Sequence, residues 1–167
     1  THTATRTPTA TITLTPTPAG FIVNSTLDEP DAKPGDELCL SAPSGVCTLR
    51  AAIMEANAAD DALTITLLPG EYLLTGVGSD EDAAFTGDLD ITGNLSIVGS
   101  DAEKTIINAL GLDGTDRVFH IVNPVTVSIL GVTVRGGDTE GSGGGILNVS
   151  GELAVSSDPR SFTNKPV

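Results

Sequence analysis

The residues best placed to do chemistry are the two carboxylates of "GDLDIT". Asp88 and Asp90 sit two apart on a stretch that alternates like a strand. Both side chains therefore fall on one side while Leu89 and Ile91 fall on the other. With the apolar pair buried, the carboxylates are expected on the outer, solvated surface. Asp80, Glu81 and Asp82 precede them, and the group offers the hard oxygens that Ca²⁺ takes. A Ca²⁺-dependent uronan lyase would also need a base for the proton beside the sugar carboxylate. Arg117 and Arg135 are the arginines of the segments that follow, and arginine is a poor base at its normal pKa. The favoured reading is a solvated strand face that shares a cation with a neighbouring segment. No catalytic residue and no resident cofactor is assigned, and Asp88 and Asp90 are the candidate ligands of a Ca²⁺ ion.

Cys39 and Cys47 are the only cysteines. Zinc would need two more ligands, and His2 and His120 lie in unrelated segments. A thioredoxin-type pair has a two-residue gap, which this is not. A disulfide closing a short loop is expected, and with it an oxidising, extracellular compartment. In "RVFHIV", His120 alternates with Phe119 and Ile121 and reads as an outward polar residue, with no Ser or Cys nucleophile beside it. The run "GGDTEGSGGG" (136–145) lacks the Gly-Lys-Ser/Thr of a phosphate loop and reads as a flexible turn. Asn24, Asn94 and Asn148 open formal N-glycosylation tripeptides. A net charge of −14 excludes a general nucleic-acid binder, which needs lysine and arginine on phosphate. No apolar run approaches the roughly 20 residues of a membrane span. Oligomeric state is not legible.

Four regions must position these residues. Residues 1–19 are threonine and proline with little else, a disordered or extended linker or stalk. Residues 20–60 hold a first strand, "FIVNST" (21–26), and a loop rich in Asp and Glu that reads as solvated. They end in "CTLRAAIMEANA" (47–58), where Leu49, Ala52, Ile53 and Ala56 recur at the spacing of one helix face. Residues 61–156 repeat strand, Asn-containing turn, strand, Gly. Asn94, Asn123 and Asn148, 29 and then 25 residues apart, mark turns expected to be equivalent. Such a period suggests a parallel β-helix whose coils stack at about 4.8 Å. An antiparallel sandwich fits the same strand signals, which do not fix pairing. Residues 157–167 lose the alternation and read as an irregular tail of a truncated stack.

The helix then has a job. The first coil of a stack exposes an edge and an unroofed core, and repeat proteins close such ends with caps. Thr48 is expected to N-cap the helix, its Leu49/Ile53 face to cover the core, and Arg50 and Glu55 to point outward.

These residues resemble the CSLREA-motif domain of bacterial surface proteins, over roughly residues 21–137. Cys47, Leu49, Arg50 and Ala52 match the signature, Thr48 replaces its serine, and Ala51 stands where it has glutamate. "FIVNSTLDEPDAKPGDELC", "TGDLDITGNLSIVGS" and "DRVFHI" extend the likeness. It implies an all-β fold, a right-handed parallel β-helix of the pectin-lyase-like type with a short N-terminal capping α-helix. It implies too an exported or cell-surface protein. The chain is accordingly expected to have a structural or adhesive role, its acidic face meeting polysaccharide or cell-surface glycan. The likeness carries no established catalytic residue. Some relatives of that fold are polysaccharide lyases, known to use an arginine as base, or hydrolases, which is the alternative function.

Overall fold

A computed structural model describes residues 20–78, 81–111, 117–139 and 143–159. The Thr/Pro segment 1–19, Asp80, residues 140–142 of the glycine-rich turn and residues 160–167 of the tail lie outside the described residues.

The chain order is β1 (Gly20–Val23), α1 (Leu49–Ala58), β2 (Leu63–Leu67), β3 (Gly70–Leu73), β4 (Leu89–Ile91), β5 (Leu95–Gly99), β6 (Thr105–Asn108), β7 (Phe119–Ile121), β8 (Thr126–Leu130), β9 (Thr133–Arg135), β10 (Ile146–Asn148) and β11 (Glu152–Ser156). From β2 onward the strands join three sheets in rotation. One sheet runs β1-β2-β5-β8-β11, a second β3-β6-β9 and a third β4-β7-β10. Every pairing between these strands is parallel, so the antiparallel alternative falls. Among the described residues no sheet closes on itself.

Period-2 alternation decides which side chains enter the core. Phe21, Ile65, Ile97 and Ile129 share one row of the long sheet. Leu89, Phe119 and Ile146 share another on the third sheet. Burial fades along each row: Leu89 and Phe119 are fully buried while Ile146, Val134 and Leu153 are half-buried. These last residues sit on β9, β10 and β11, which have a paired neighbour on one side only among the described residues.

The asparagines are not equivalent. The register opposes Asn94 to Thr126 by extension of Leu95 to Val127, while Asn148 opposes Ile121. The corners differ in length, with residues 92–94, 122–126 and 149–152 between matched core positions. Instead of stacking on one another, Asn94 accepts from the Thr126 amide (2.8 Å) and Asn123 donates to the Thr92 carbonyl (3.2 Å).

α1 forms where the spacing predicted it. The Thr48 hydroxyl accepts from the Ala51 amide at 3.0 Å, supplying one of the donors that a helix start leaves unpaired. The helix packs against β1, β2 and β4. Gly93 lets it come close: a Cβ there would lie 2.6 Å from the Ala56 carbonyl oxygen. Asn57 completes the seam, donating to the Asp90 carbonyl (2.8 Å) and accepting from the Thr92 amide (2.9 Å).

The expectation that Arg50 and Glu55 point outward is wrong. They are 1% and 3% exposed, and eight of the ten helix residues are buried. The acidic loop, expected to be solvated, folds over the helix as an outer layer. Its carboxylates hold backbone amides: Asp31 accepts from Lys33 and Leu40, and Asp28 from Thr75 and Gly76. Glu55 reaches out from the helix to accept from the Gly35 (2.8 Å) and Glu37 (2.9 Å) amides. Cys39 and Cys47 form a disulfide that closes this layer, as expected.

Candidate functional site

Asp88 and Asp90 do lie on one side of β4, opposite Leu89 and Ile91, but that side is not solvated. Asp88 is 5% exposed and Asp90 is fully buried. The sequence reading assumed that the outer face of a strand meets water. Here the segment 81–88 turns back over it, with Ala84 and Gly87 in the left-handed region at φ of 57° and 61°. Glu81 shapes that turn by accepting from the Ala83 (2.9 Å) and Thr86 (2.8 Å) amides.

Arg50 fastens the segment from below. Its guanidinium donates to Asp28 through Nε (2.6 Å) and Nη2 (3.2 Å). The same group donates to the carbonyls of Ala84 (3.0 Å), Gly87 (2.8 Å) and Asp88 (3.2 Å). Five bonds use the full donor set of an arginine. Its counter-charge comes from Asp28 in the outer layer.

Above Arg50, Asp90 joins the turn to the sheet. Its Oδ2 accepts from the Ala84 amide at 3.1 Å, and its Oδ1 lies 3.1 Å from His120 Nδ1. The contact with His120 follows from register, because Asp90 and His120 are directly opposed on β4 and β7. His120 is thus drawn inward onto a carboxylate, its side chain 17% exposed. Arg117 Nη1 comes within 3.9 Å of Asp88 Oδ2; nothing in the spacing of the sequence put it there. Arg135, on another sheet, pairs with Glu71 at 2.6 Å on the surface.

Burial, and then the nearby Asp88, push the Asp90 carboxyl up to about 7, with Glu81 and Asp82 adding to the rise. The Ala84 amide pulls the other way, since it favours the carboxylate. Donor atoms of Asp82, Asp90 and His120 lie within 4.8 Å of one another. Both Asp90 oxygens are already engaged with protein groups, so the trio is an internally bonded polar cluster and we assign no metal to it. A concavity of about 610 Å³ lies beside the end of α1, lined by Phe21, Leu63, Glu37, Asp60 and Asp61 among others. Of the residues singled out from the sequence, Glu55 lines it, while Asp88, Asp90 and His120 do not.

Among the described residues no helix is long and apolar enough to cross a membrane. No protein-family model, no curated protein and no solved structure matches the chain.

Proposed function

We propose that this chain is the helix-capped part of a right-handed parallel β-helix, serving as a structural and adhesive module of an exported or cell-surface protein. Strand rotation through three parallel sheets supports the solenoid. The right hand is the one that parallel crossover connections adopt almost without exception. The disulfide fits an oxidising compartment, and the likeness of residues 47–58 to the CSLREA signature points the same way.

One observation carries the choice of a structural role over catalysis: the best-placed carboxylates are roofed by the chain's own backbone. Asp90 is fully buried and Asp88 nearly so, so neither presents an oxygen to a sugar. The rival reading, a polysaccharide lyase or hydrolase on acidic polysaccharide, draws on the raised Asp90 carboxyl and on Arg117 beside Asp88. An elevated carboxyl is what a general acid needs, but it must also reach the substrate. Incubation with polygalacturonate and Ca²⁺, followed by absorbance of unsaturated products, decides between them. The structural reading expects no product. Product formation that disappears in Asp88→Ala would overturn it.

A further inference from the structure

The Asp90 carboxyl holds two pieces of structure together. One is the 81–88 turn, through the Ala84 amide, and the other is β7, through His120. It does so without any exposure to water and in anionic company. Glu81, Asp82 and Asp88 all face it from the turn. His120 of β7 lies against its Oδ1, and Arg117 lies nearer Asp88. Arg50, below, is committed to Asp28 and to backbone carbonyls. Leu147 follows His120 in the row and adds no charge. We propose that Asp90 is a proton-operated clamp: protonated, it seats the 81–88 turn on the β4–β7 face, and on ionising it loosens that turn and opens the face to solvent.

The Ala84 bond alone argues the reverse, because an amide donates more strongly to a carboxylate than to a neutral acid. Burial and three like charges outweigh it, which is why the net displacement of the Asp90 carboxyl is upward. The sign follows by linkage. In the seated state Asp90 keeps its proton up to about 7. In the loosened state it is hydrated and titrates nearer the ordinary value of about 3.9. The seated state therefore binds the proton more tightly. Its advantage is complete below the ordinary carboxylate range and is lost as pH rises through about 7. Arg50 holds Ala84 and Gly87 by their backbone carbonyls and not through Asp90, so its grip is a constant against which the Asp90 clamp works. Opening would expose Asp88, Asp90 and His120 together without disturbing the apolar rows beneath.

Amide exchange on the intact chain tests this, with protection factors corrected for the intrinsic pH dependence of exchange. They would be measured at Ala84, Thr86 and Gly87 between about pH 5 and about pH 8.5. Protection at these amides is expected to fall as pH rises, by up to about tenfold per pH unit below the Asp90 midpoint, while the core amide of Ile107 stays level. Asp90→Asn should abolish the fall, since its side chain can accept from Ala84 and donate to His120 as the protonated acid does. His120→Gln should retain it. Level protection in the wild-type chain overturns the proposal without recourse to a variant. So does a fall that persists in Asp90→Asn, or one that vanishes in His120→Gln, which would make the imidazole the titrating group.

Discussion

Removing Arg50 should be among the most damaging single changes in the chain, and the magnitude can be worked from its contacts. Arg50→Met keeps the unbranched stem and deletes five donors. Asp28, whose side chain is 2% exposed, then faces a low-dielectric pocket with only the Thr75 and Gly76 amides. Three carbonyls, those of Ala84, Gly87 and Asp88, lose a partner at the same time. Stripping one partner from a buried ion pair costs about 3–5 kcal/mol. Each orphaned carbonyl would add about 1–3 kcal/mol if water could not enter. Because the 81–88 turn can part and admit water, the carbonyl cost is largely relieved, and the expected loss is about 3–5 kcal/mol in total. Arg50→Lys keeps the charge but not the fork, and should fall between wild type and Arg50→Met. Urea unfolding gives the measurement, with the midpoint falling at an unchanged slope. A double-mutant cycle with Asp28→Asn should return a coupling above about 1.5 kcal/mol. A loss below about 1 kcal/mol for Arg50→Met would refute the reasoning, because that is the range of an exposed ion pair.

Two further outcomes follow from the cap and the stack. Thr48→Ala removes the helix N-cap and also the hydroxyl that donates to the Glu29 carbonyl at 2.7 Å. It should cost about 2 kcal/mol by thermal or urea unfolding, roughly one each for the cap and the buried bond, whereas Thr48→Ser should cost less than about half of that. Ser96→Cys with Ser128→Cys tests the parallel pairing of β5 with β8. The two serines oppose each other on β5 and β8, their hydroxyl oxygens 2.7 Å apart. Neighbouring strands stand about 4.8 Å apart, within the reach of a disulfide. The pair should oxidise spontaneously, read as a mass lower by two hydrogens; thiols that stay free in air would contradict the parallel register.

Much of the architecture was written in local pattern. The helix, its Thr48 cap and the Cys39–Cys47 link follow from spacing and residue type, and alternation put Asp88 and Asp90 on one side of β4. What local pattern omits is a second layer. A strand's outer face was equated with solvent, yet the chain returns over β4 through 81–88, a return that only tertiary structure reveals. One signal was available for the helix. "LRAAIMEANA" carries just Arg50, Glu55 and Asn57 as polar residues among alanines and large apolar side chains. A helix so apolar all round is buried all round, and a buried arginine requires a counter-charge. The dense carboxylates of residues 28–37 were the place to seek it, since five of them face a single lysine in that stretch. The asparagine turns misled for a different reason. Sequence period fixes neither corner length nor register, and corners one or two residues longer move an asparagine off the row.

The distribution of polar bonds explains how an apolar helix finds one place on a repetitive stack. Rows such as Ile65, Ile97 and Ile129 are chemically alike from strand to strand, so hydrophobic contact alone would let the helix sit against several of them with similar energy. Arg50 and Asn57 remove that degeneracy. Arg50 demands three carbonyls converging from Ala84, Gly87 and Asp88, and Asn57 demands the Asp90 carbonyl with the Thr92 amide. The stretch 84–92 supplies both, and Gly93 leaves room for Ala56 against that corner. Directional bonds of this kind add little net energy over a well-packed apolar seam; their effect is to make every misplacement expensive, because each leaves buried donors without acceptors. β4 is thereby held from two sides, its Asp90 carbonyl by the helix and its Asp90 carboxyl by the 81–88 turn. A change in the charge of that carboxyl would thus be felt first at the turn, where Asp90 meets a backbone amide, while the bonds from Arg50 and Asn57 keep the helix in register.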